Sequence, residues 1–221
     1  GCGQGRCHHR HMGLYSETIF PWLLDRTLNH PRIMARRQAL VAGASGDVLE
    51  IGFGSGATLP FYDPARVHSL TVVEPSAGMN RRAAARLAQS PVPVRSVPGA
   101  GEQLPFADAS FDTVVCCLTL CSVADVGQVL AEVRRVLKPG GRFLYLEHVL
   151  SDDADRRRWQ QRLTPIQKVV GVGCHLNRDA NAAILAAGLS LDPVPVQGLE
   201  PAFGALAPLA PLVAGAAVKP A

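Results

Sequence analysis

The most informative segment of the sequence is Glu50-Ile51-Gly52-Phe53-Gly54-Ser55-Gly56, a turn of alternating glycines after a short apolar run. The run at residues 47–51 predicts a buried strand. The glycines let the backbone bend sharply and let a ligand approach main-chain amides without meeting a Cβ atom. A glycine turn after the first strand of an open α/β sheet lies at the crevice where such sheets bind ligands. The segment therefore predicts an α/β fold with a ligand site, and a plain tight turn is the weaker interpretation.

An acidic residue, Glu74, follows the second predicted strand at residues 69–73. Its carboxylate can reach the same crevice and accept hydrogen bonds from both hydroxyls of a ribose. The glycines and this acid together predict a nucleoside-containing cofactor, whereas a solvated acid at a strand end is the alternative. Gly52, Gly54 and Ala57 also satisfy a relaxed dinucleotide-binding pattern, so a nicotinamide-dependent oxidoreductase remains open.

The composition indicates a single globular domain. The chain has 221 residues, of which 48% are hydrophobic and 18% charged, enough apolar material for one core. The net charge of +4 is small and dispersed, which argues against nucleic acid as a partner. Three of the six cysteines fall in or beside one apolar stretch, as buried thiols do. With no apolar leader at the start, these features predict a cytoplasmic protein.

Regular alternation of strand and helix patterns predicts a parallel sheet with helices on both faces. We expect residues 1–11 to be a tag or disordered, and residues 12–221 to form one domain. Within it we expect an N-terminal helical lid (12–45), a cofactor-binding core (46–150), and substrate-side helices with a closing hairpin (151–221). Strands are predicted at 47–51, 69–73, 92–97, 111–117, 142–147, 189–196 and 212–219, with room for a helix between the first two.

A second motif narrows the family. Gly99-Ala100-Gly101-Glu102-Gln103-Leu104-Pro105-Phe106 and Leu137-Lys138-Pro139-Gly140-Gly141 resemble segments of the class I S-adenosylmethionine-dependent methyltransferases. That resemblance covers residues 47–147. It implies a Rossmann-like fold with a seven-stranded, mostly parallel sheet of order 3-2-1-4-5-7-6 in which strand 7 is antiparallel. It also implies S-adenosylmethionine as cofactor, S-adenosylhomocysteine as product, and no metal.

The resemblance also implies a set of cofactor-binding residues. Ala100 replaces an Asp that many relatives carry near the adenine, so adenine contact would use the backbone at Gly101 and Glu102, with Pro75 and Met79 packing beside the base. This replacement keeps a non-catalytic cofactor-binding protein open as a reading. An aromatic residue near the start caps the cofactor pocket in similar enzymes. The full set is Tyr15, Glu50, Gly52, Gly54, Gly56, Glu74, Pro75, Met79, Gly101, Glu102, Cys117 and Leu118.

Residues 115–123, 147–149, 159–161 and 173–178 resemble the methyltransferase-like 7 group. That group contains membrane-associated thiol S-methyltransferases and soluble bacterial relatives. The resemblance implies a small-molecule acceptor, with a thiol favoured and O- or C-methylation of a quinone-like or phenolic molecule next. We expect no stable membrane insertion, since the anchor of the animal members is not seen, and the oligomeric state stays open.

The candidate catalytic residues follow the fifth predicted strand. His148 lies at the end of the sheet where a substrate would enter, and its imidazole titrates in the useful range for a base. A structural histidine is an equal alternative. Glu147 would orient His148 or bind substrate, and His175 is a second candidate base. Cys174 is expected to pack, because methyl transfer needs no enzyme thiol.

Overall fold

The structure is a computed structural model that describes residues 13, 15–192, 197–199 and 211–221. Within these residues, strands form one mixed sheet of order β3-β2-β1-β4-β5-β8-β6, with β7 also paired to β8. Strands β1 to β5 run parallel to one another, and β8 is antiparallel to β5. The strands are β1 (Gly46–Ile51), β2 (Val67–Glu74), β3 (Val94–Pro98), β4 (Phe111–Cys117), β5 (Leu137–His148), β6 (Ser190–Leu191), β7 (Gln197–Leu199) and β8 (Leu212–Val218).

This sheet confirms the predicted fold class. The short strands β6 and β7 pair in antiparallel fashion with opposite ends of β8, β6 with Ala217 and Val218 and β7 with residues 212–214. Together they occupy the sixth-strand position of the order 3-2-1-4-5-7-6, and β8 is the antiparallel seventh strand. Of the predicted strand at 189–196, residues 190–191 pair with β8 in antiparallel fashion, and residues 193–196 lie outside the described residues. Residues 1–11 and 201–210 lie outside the described residues.

Helices pack on both faces of the sheet. Five of them begin at a side chain that accepts a backbone N–H of the first turn, namely His30, Ser76, Asp125, Asp153 and Asp179. The helices are a π-helical turn (Tyr15–Ile19), α1 (Phe20–Leu28), α2 (Pro31–Val41), a 3₁₀ turn (Leu59–Phe61), α3 (Ala77–Leu87), α4 (Val126–Val136), α5 (Ala154–Val170) and α6 (Ala180–Ala186). No described helix has the length and apolar character that crossing a membrane demands.

Alternating side chains of the strands feed two hydrophobic cores, one on each face of the sheet. Val48 and Val115 join the core covered by α2 and α3. Leu49 and Val114 join the core covered by α4 and α6. Because these strands are apolar on both faces, they read as continuous hydrophobic runs in the sequence, as buried parallel strands do. This burial fixes the strand ends, and thereby the site at their carboxyl edge.

The segment between β1 and β2 differs from the sequence-based expectation. No α-helix forms there, and the chain makes only the single 3₁₀ turn at Leu59–Phe61. Pro64 lacks a backbone N–H and disfavours helical geometry at Asp63 before it, so a longer helix cannot continue. The expected helix was therefore wrong, and the glycine turn leads into a compact loop.

Candidate active site

A cavity of about 880 Å³ opens at the carboxyl ends of β1, β2, β4 and β5. Its walls run from the glycine turn on one side to α5 on the other, with α1 contributing Leu23 and Leu24. The size lies in the range of small-molecule sites, and the edge of the sheet is where α/β folds bind ligands. One cavity thus joins the predicted cofactor region to the predicted catalytic histidine.

The glycine turn shapes one end of this cavity. Gly52 and Gly54 have positive φ angles of 72° and 58°, which side chains rarely adopt. A Cβ atom on Gly52 would lie 2.3 Å from Thr119 Oγ1, so that glycine is needed for packing. A Cβ on Gly54 would meet nothing nearer than a backbone oxygen at 4.0 Å. Since Gly54 lines the cavity, this open space is where a ligand can approach the backbone.

The Glu74 carboxylate stands beside the turn. One oxygen accepts the Gly54 N–H at 2.8 Å, and the other accepts the Ser76 N–H at 2.8 Å. Burial raises the pKa of Glu74, although the Ser76 and Gly54 amides oppose that shift. Each carboxylate oxygen still has capacity for a second donor. The side chain is therefore held in place and can accept two further hydrogen bonds from a ligand.

Glu50, at the end of β1, carries a buried polar network. Its carboxylate accepts hydrogen bonds from Thr58 Oγ1 at 2.8 Å and from the Tyr62 hydroxyl at 2.9 Å. Burial raises the pKa of Glu50 to about 7. Arg37, from α2, also lines the cavity and is 7% exposed, and its Nε atom has no hydrogen-bond partner among the described residues. A buried guanidinium with an unpaired N–H favours an anionic ligand group.

The N-terminal helical segment forms hydrogen bonds with the glycine turn and with the start of α3. The Ser55 hydroxyl donates to the Asp25 carboxylate of α1 at 2.5 Å. Burial alone would raise the pKa of the Asp25 carboxyl. The hydrogen bonds from Ser55 and Arg86 outweigh this effect, so the pKa of Asp25 is lowered. Further along, Glu17 accepts the Gly78 N–H at 2.7 Å at the start of α3. The lid predicted at residues 12–45 thus contacts the glycine turn and α3 through polar groups.

Glu147, the residue before His148, fixes the loop after β4. Its carboxylate accepts the backbone N–H groups of Thr119 and Leu120 at 2.9 Å and of Cys121 at 3.3 Å. The side chain is fully buried and does not line the cavity. Burial raises the pKa of Glu147 to about 7, against the effect of these three donors. Its observed contacts position the loop that forms the cavity wall.

Two cysteine thiols and one histidine imidazole lie together at the end of the cavity away from the glycine turn. The ligand atoms of Cys121, His148 and Cys174 lie within 4.8 Å of one another. His148 Nδ1 is 3.8 Å from Cys174 Sγ, while His148 Nε2 is buried with no partner among the described residues. A hydrogen bond from Cys121 lowers the pKa of Cys174, and His148 adds to this shift against the effect of burial. The hydrogen bond to Cys174 raises the pKa of the Cys121 thiol, and burial raises it further.

Comparison with known proteins identifies the family. A family model described as a methyltransferase domain matches residues 49–145. Thiol S-methyltransferase TMT1B of Rattus norvegicus is 34% identical over 99% of this chain and 90% of its own length. Human thiol S-methyltransferase TMT1A is 34% identical over 81% of this chain and 80% of its own length. The chain is a class I S-adenosylmethionine-dependent methyltransferase. The solved structure of YcgJ from Bacillus subtilis shares this fold, with a TM-score of 0.62 at 19% identity over 86% of this chain and 96% of that one.

The cavity of this methyltransferase fits the family's methyl donor. The free space at Gly54 admits a ligand against the backbone, Glu74 offers two acceptor oxygens, and Arg37 offers an unpaired guanidinium N–H. These groups match the hydroxyls and the carboxylate of S-adenosylmethionine. Family membership favours methyl transfer over the two alternatives left open above, the nicotinamide-dependent oxidoreductase that the glycine pattern allowed and the non-catalytic protein that Ala100 allowed.

The predicted cofactor residues divide into two groups. Those that line the cavity are Glu50, Gly52, Gly54, Glu74, Pro75, Met79, Cys117 and Leu118. Gly56, Gly101 and Glu102 do not line it. Glu102 instead accepts the Ala124 N–H at 2.9 Å, and so supports a loop that does line it. The backbone of Tyr15 lies in the π-helical turn, and its side chain is outside the described residues. The binding roles themselves remain predictions.

The predicted catalytic residues also divide into those that line the cavity and those that do not. His148 lines the methyltransferase cavity, whereas Glu147 and His175 do not. His175 Nδ1 lies 2.7 Å from the Gly173 carbonyl oxygen and 3.3 Å from that of Cys121, so its ring is tied to the backbone. Sequence reasoning missed Arg37 and the closeness of Cys121 to Cys174. The available signal for Arg37 was its spacing, four residues after Ile33 and four before Val41, which places it on the buried face of α2. No motif spacing links the two cysteines.

Proposed function

We propose that the enzyme transfers a methyl group from S-adenosylmethionine to the sulfur of a small thiol. The observation that carries this proposal is one continuous cavity that joins the glycine turn to His148 and the two cysteines. The names of two relatives that match most of the chain, both thiol S-methyltransferases, support sulfur as the acceptor atom. The fold alone does not choose the acceptor.

The cofactor would be held by groups at the ends of β1, β2 and β4. Glu74 would accept hydrogen bonds from the ribose hydroxyls, and the backbone at Gly52 and Gly54 would border the amino-acid portion. Arg37 would pair with the cofactor carboxylate. Pro75 and Met79, both in the cavity wall, would pack beside the adenine. This arrangement uses charge-assisted hydrogen bonds at both polar ends of the ligand.

When bound, S-adenosylmethionine supplies a methyl group attached to a positively charged sulfur. An acceptor thiolate attacks the methyl carbon, and the donor sulfur leaves. His148, which lines the cavity, would take the proton from the acceptor thiol. A free thiol has a pKa near about 8.5, so removing its proton raises the fraction of reactive thiolate at neutral pH. The cavity walls hold the acceptor near the donor, and positioning of this kind contributes about 7–11 kcal/mol to lowering a barrier.

The acceptor end of the cavity is mainly apolar. Its lining includes Leu163, Ile166 and Val170 of α5 and Leu23 and Leu24 of α1. Such walls favour an alkyl or aryl thiol over a strongly charged one.

The test is a panel of acceptors incubated with the enzyme and S-adenosylmethionine. The panel contains alkyl thiols, aryl thiols, phenols and reduced quinones, and mass spectrometry detects the methylated product and S-adenosylhomocysteine. We expect thioether products from the apolar thiols. Methylation confined to phenols or quinone-like molecules would overturn the proposal in favour of O- or C-methylation. Asp112→Ala, which alters a carboxylate at the opposite edge of the sheet, serves as the matched active control.

A further inference from the structure

A cluster of two thiols and one imidazole occupies the acceptor end of the cavity. Cys121 comes from the loop after β4, His148 from the end of β5, and Cys174 from the loop between α5 and α6. The His175 N–H donates to the Cys121 carbonyl at 2.7 Å, so the two cysteine loops are joined by a backbone hydrogen bond. The cluster is therefore built by tertiary structure, with each side chain supplied by a different segment.

We propose that Cys121, His148 and Cys174 form a binding site for a zinc ion, with a fourth coordination position open to the cavity. Zinc is bound in proteins by cysteine sulfur and histidine nitrogen, and its catalytic sites hold three protein ligands and one exchangeable position. All three side chains line the cavity, which meets the condition of an open position. Oxygen-preferring cations such as Mg²⁺ do not fit a set of two sulfurs and one nitrogen.

The spacing of the ligand atoms supports this site. Zn–S bonds of about 2.3 Å and Zn–N bonds of about 2.0–2.1 Å in a tetrahedron place the ligand atoms about 3.5–3.8 Å apart. The 3.8 Å between His148 Nδ1 and Cys174 Sγ is about 0.2–0.3 Å longer than the sulfur–nitrogen separation in such a tetrahedron. No separation in the cluster exceeds 4.8 Å, so a contraction of at most about 1.0–1.3 Å completes the set. Rotation of the Cys121 or Cys174 side chain can supply it.

The imidazole has no other polar role in the structure. His148 is 6% exposed, its Nε2 atom has no hydrogen-bond partner among the described residues, and its Nδ1 atom faces only the Cys174 sulfur. Buried polar atoms are nearly always paired, since an unpaired one costs about 1–3 kcal/mol. Coordination of a metal by Nδ1, the ring nitrogen that faces Cys174, gives the imidazole a polar partner, while Nε2 itself stays unpaired.

The open position suits a sulfur ligand, and this part of the inference rests on the proposed function. An acceptor thiol that coordinates the metal releases its proton to solvent and stays bound as a thiolate. Its sulfur lone pair then forms the new bond to the methyl carbon as the old carbon–sulfur bond of the donor breaks. The neutral thioether is a weaker ligand and leaves. His148 would act as a metal ligand in this case, and coordination would replace the base.

Cobalt substitution tests the metal site directly. All samples carry Cys2→Ser and Cys7→Ser, because the thiols of residues 1–11 would compete for metal. The full chain is reduced, freed of metal and titrated with Co²⁺, and absorption is recorded for thiolate-to-cobalt charge transfer. We expect a band that saturates at one Co²⁺ per chain and disappears when Zn²⁺ is added. Cys121→Ser and Cys174→Ser should each weaken or abolish the band, whereas Cys116→Ala, at a buried cysteine outside the cavity, should retain it.

The controls make the result decisive. Circular dichroism and calorimetric binding of S-adenosylmethionine establish that each variant is folded. If the reduced, folded background protein shows no charge-transfer band, or if the band survives in both cysteine variants, the metal site is refuted. A Cys121–Cys174 disulfide that forms without reductant, combined with no cobalt binding after reduction, would also overturn it.

A second arm separates the metal site from the proposed function. Methyl transfer to a thiol is compared between zinc-loaded and chelator-treated enzyme, and the thiol is added to the cobalt protein to look for a change in its spectrum. Higher activity with zinc and a spectral change support the open-position role, while equal activity without metal overturns that role and leaves His148 as base. If cobalt binds but no thiol is methylated, the proposed function fails and the metal site stands.

Discussion

Replacing Glu74 by alanine removes the carboxylate proposed to hold the cofactor ribose. Each of its oxygens accepts one backbone N–H, from Gly54 or from Ser76, and retains capacity for a ribose hydroxyl. Hydrogen bonds to a charged group contribute about 1.5–3 kcal/mol. Since about 1.4 kcal/mol is a tenfold change in affinity, we expect the dissociation constant for S-adenosylmethionine to rise about 10- to 150-fold.

The same substitution also affects stability, and this effect has to be measured separately. The Gly54 and Ser76 N–H groups lose their acceptor, and an unpaired buried donor costs about 1–3 kcal/mol. Isothermal titration well below the unfolding temperature gives the affinity, and urea unfolding gives the stability. Asp112→Ala is the matched control, because that carboxylate accepts the Asp47 N–H at 2.8 Å at the opposite edge of the sheet. It should lose stability and keep its affinity.

The reasoning is refuted if Glu74→Ala is folded and binds S-adenosylmethionine with the affinity of the unaltered enzyme. The ribose would then be held by other groups. Equal losses of affinity in Glu74→Ala and Asp112→Ala would also count against it, because they would point to general loosening of the sheet.

Three other substitutions probe separate parts of the cavity. Gly54→Ala should cost about 1–2 kcal/mol of stability, because its φ is positive, and should weaken cofactor binding in calorimetry far more than this strain predicts. His148→Ala should lower turnover about 10²- to 10⁴-fold and flatten its rise with pH, as steady-state rates across pH would show. Glu50 has a folded pKa of about 7 against 4.5, so its stabilising effect is full below 4.5 and is lost as pH rises through 7. In urea unfolding, Glu50→Gln should therefore gain about 3 kcal/mol relative to the unaltered enzyme over that interval.

The sheet and the cofactor edge were predictable because their signals are local. Strand β4, buried on both faces, is apolar along its length, and its predicted bounds match those observed. The glycine turn and Glu74 lie at strand ends, where topology brings them together. The missing helix after β1 shows the limit of this reasoning, because a segment long enough for a helix was interrupted by Pro64.

Contacts between distant segments could not be predicted in the same way. Asp25 meets Ser55 across thirty residues, and no periodic pattern records that pairing. Cys121 and Cys174 each looked like a packing residue when taken alone, and only the fold brings them to His148. The cytoplasmic location and the boundaries of the domain, including residues 1–11, remain predictions.

Helix α5 contributes cavity-lining side chains that can be substituted at little cost in stability. Only Gln160 and Thr164 of this helix are buried, whereas Ile166 and Val170, which line the cavity, are 61% and 53% exposed. Changes at such exposed positions usually alter stability by less than about 0.5 kcal/mol. Libraries randomised at positions 163, 166, 167 and 170 would therefore sample new acceptor shapes on an intact scaffold. Divergence along this one helix is an inexpensive evolutionary route to new substrates.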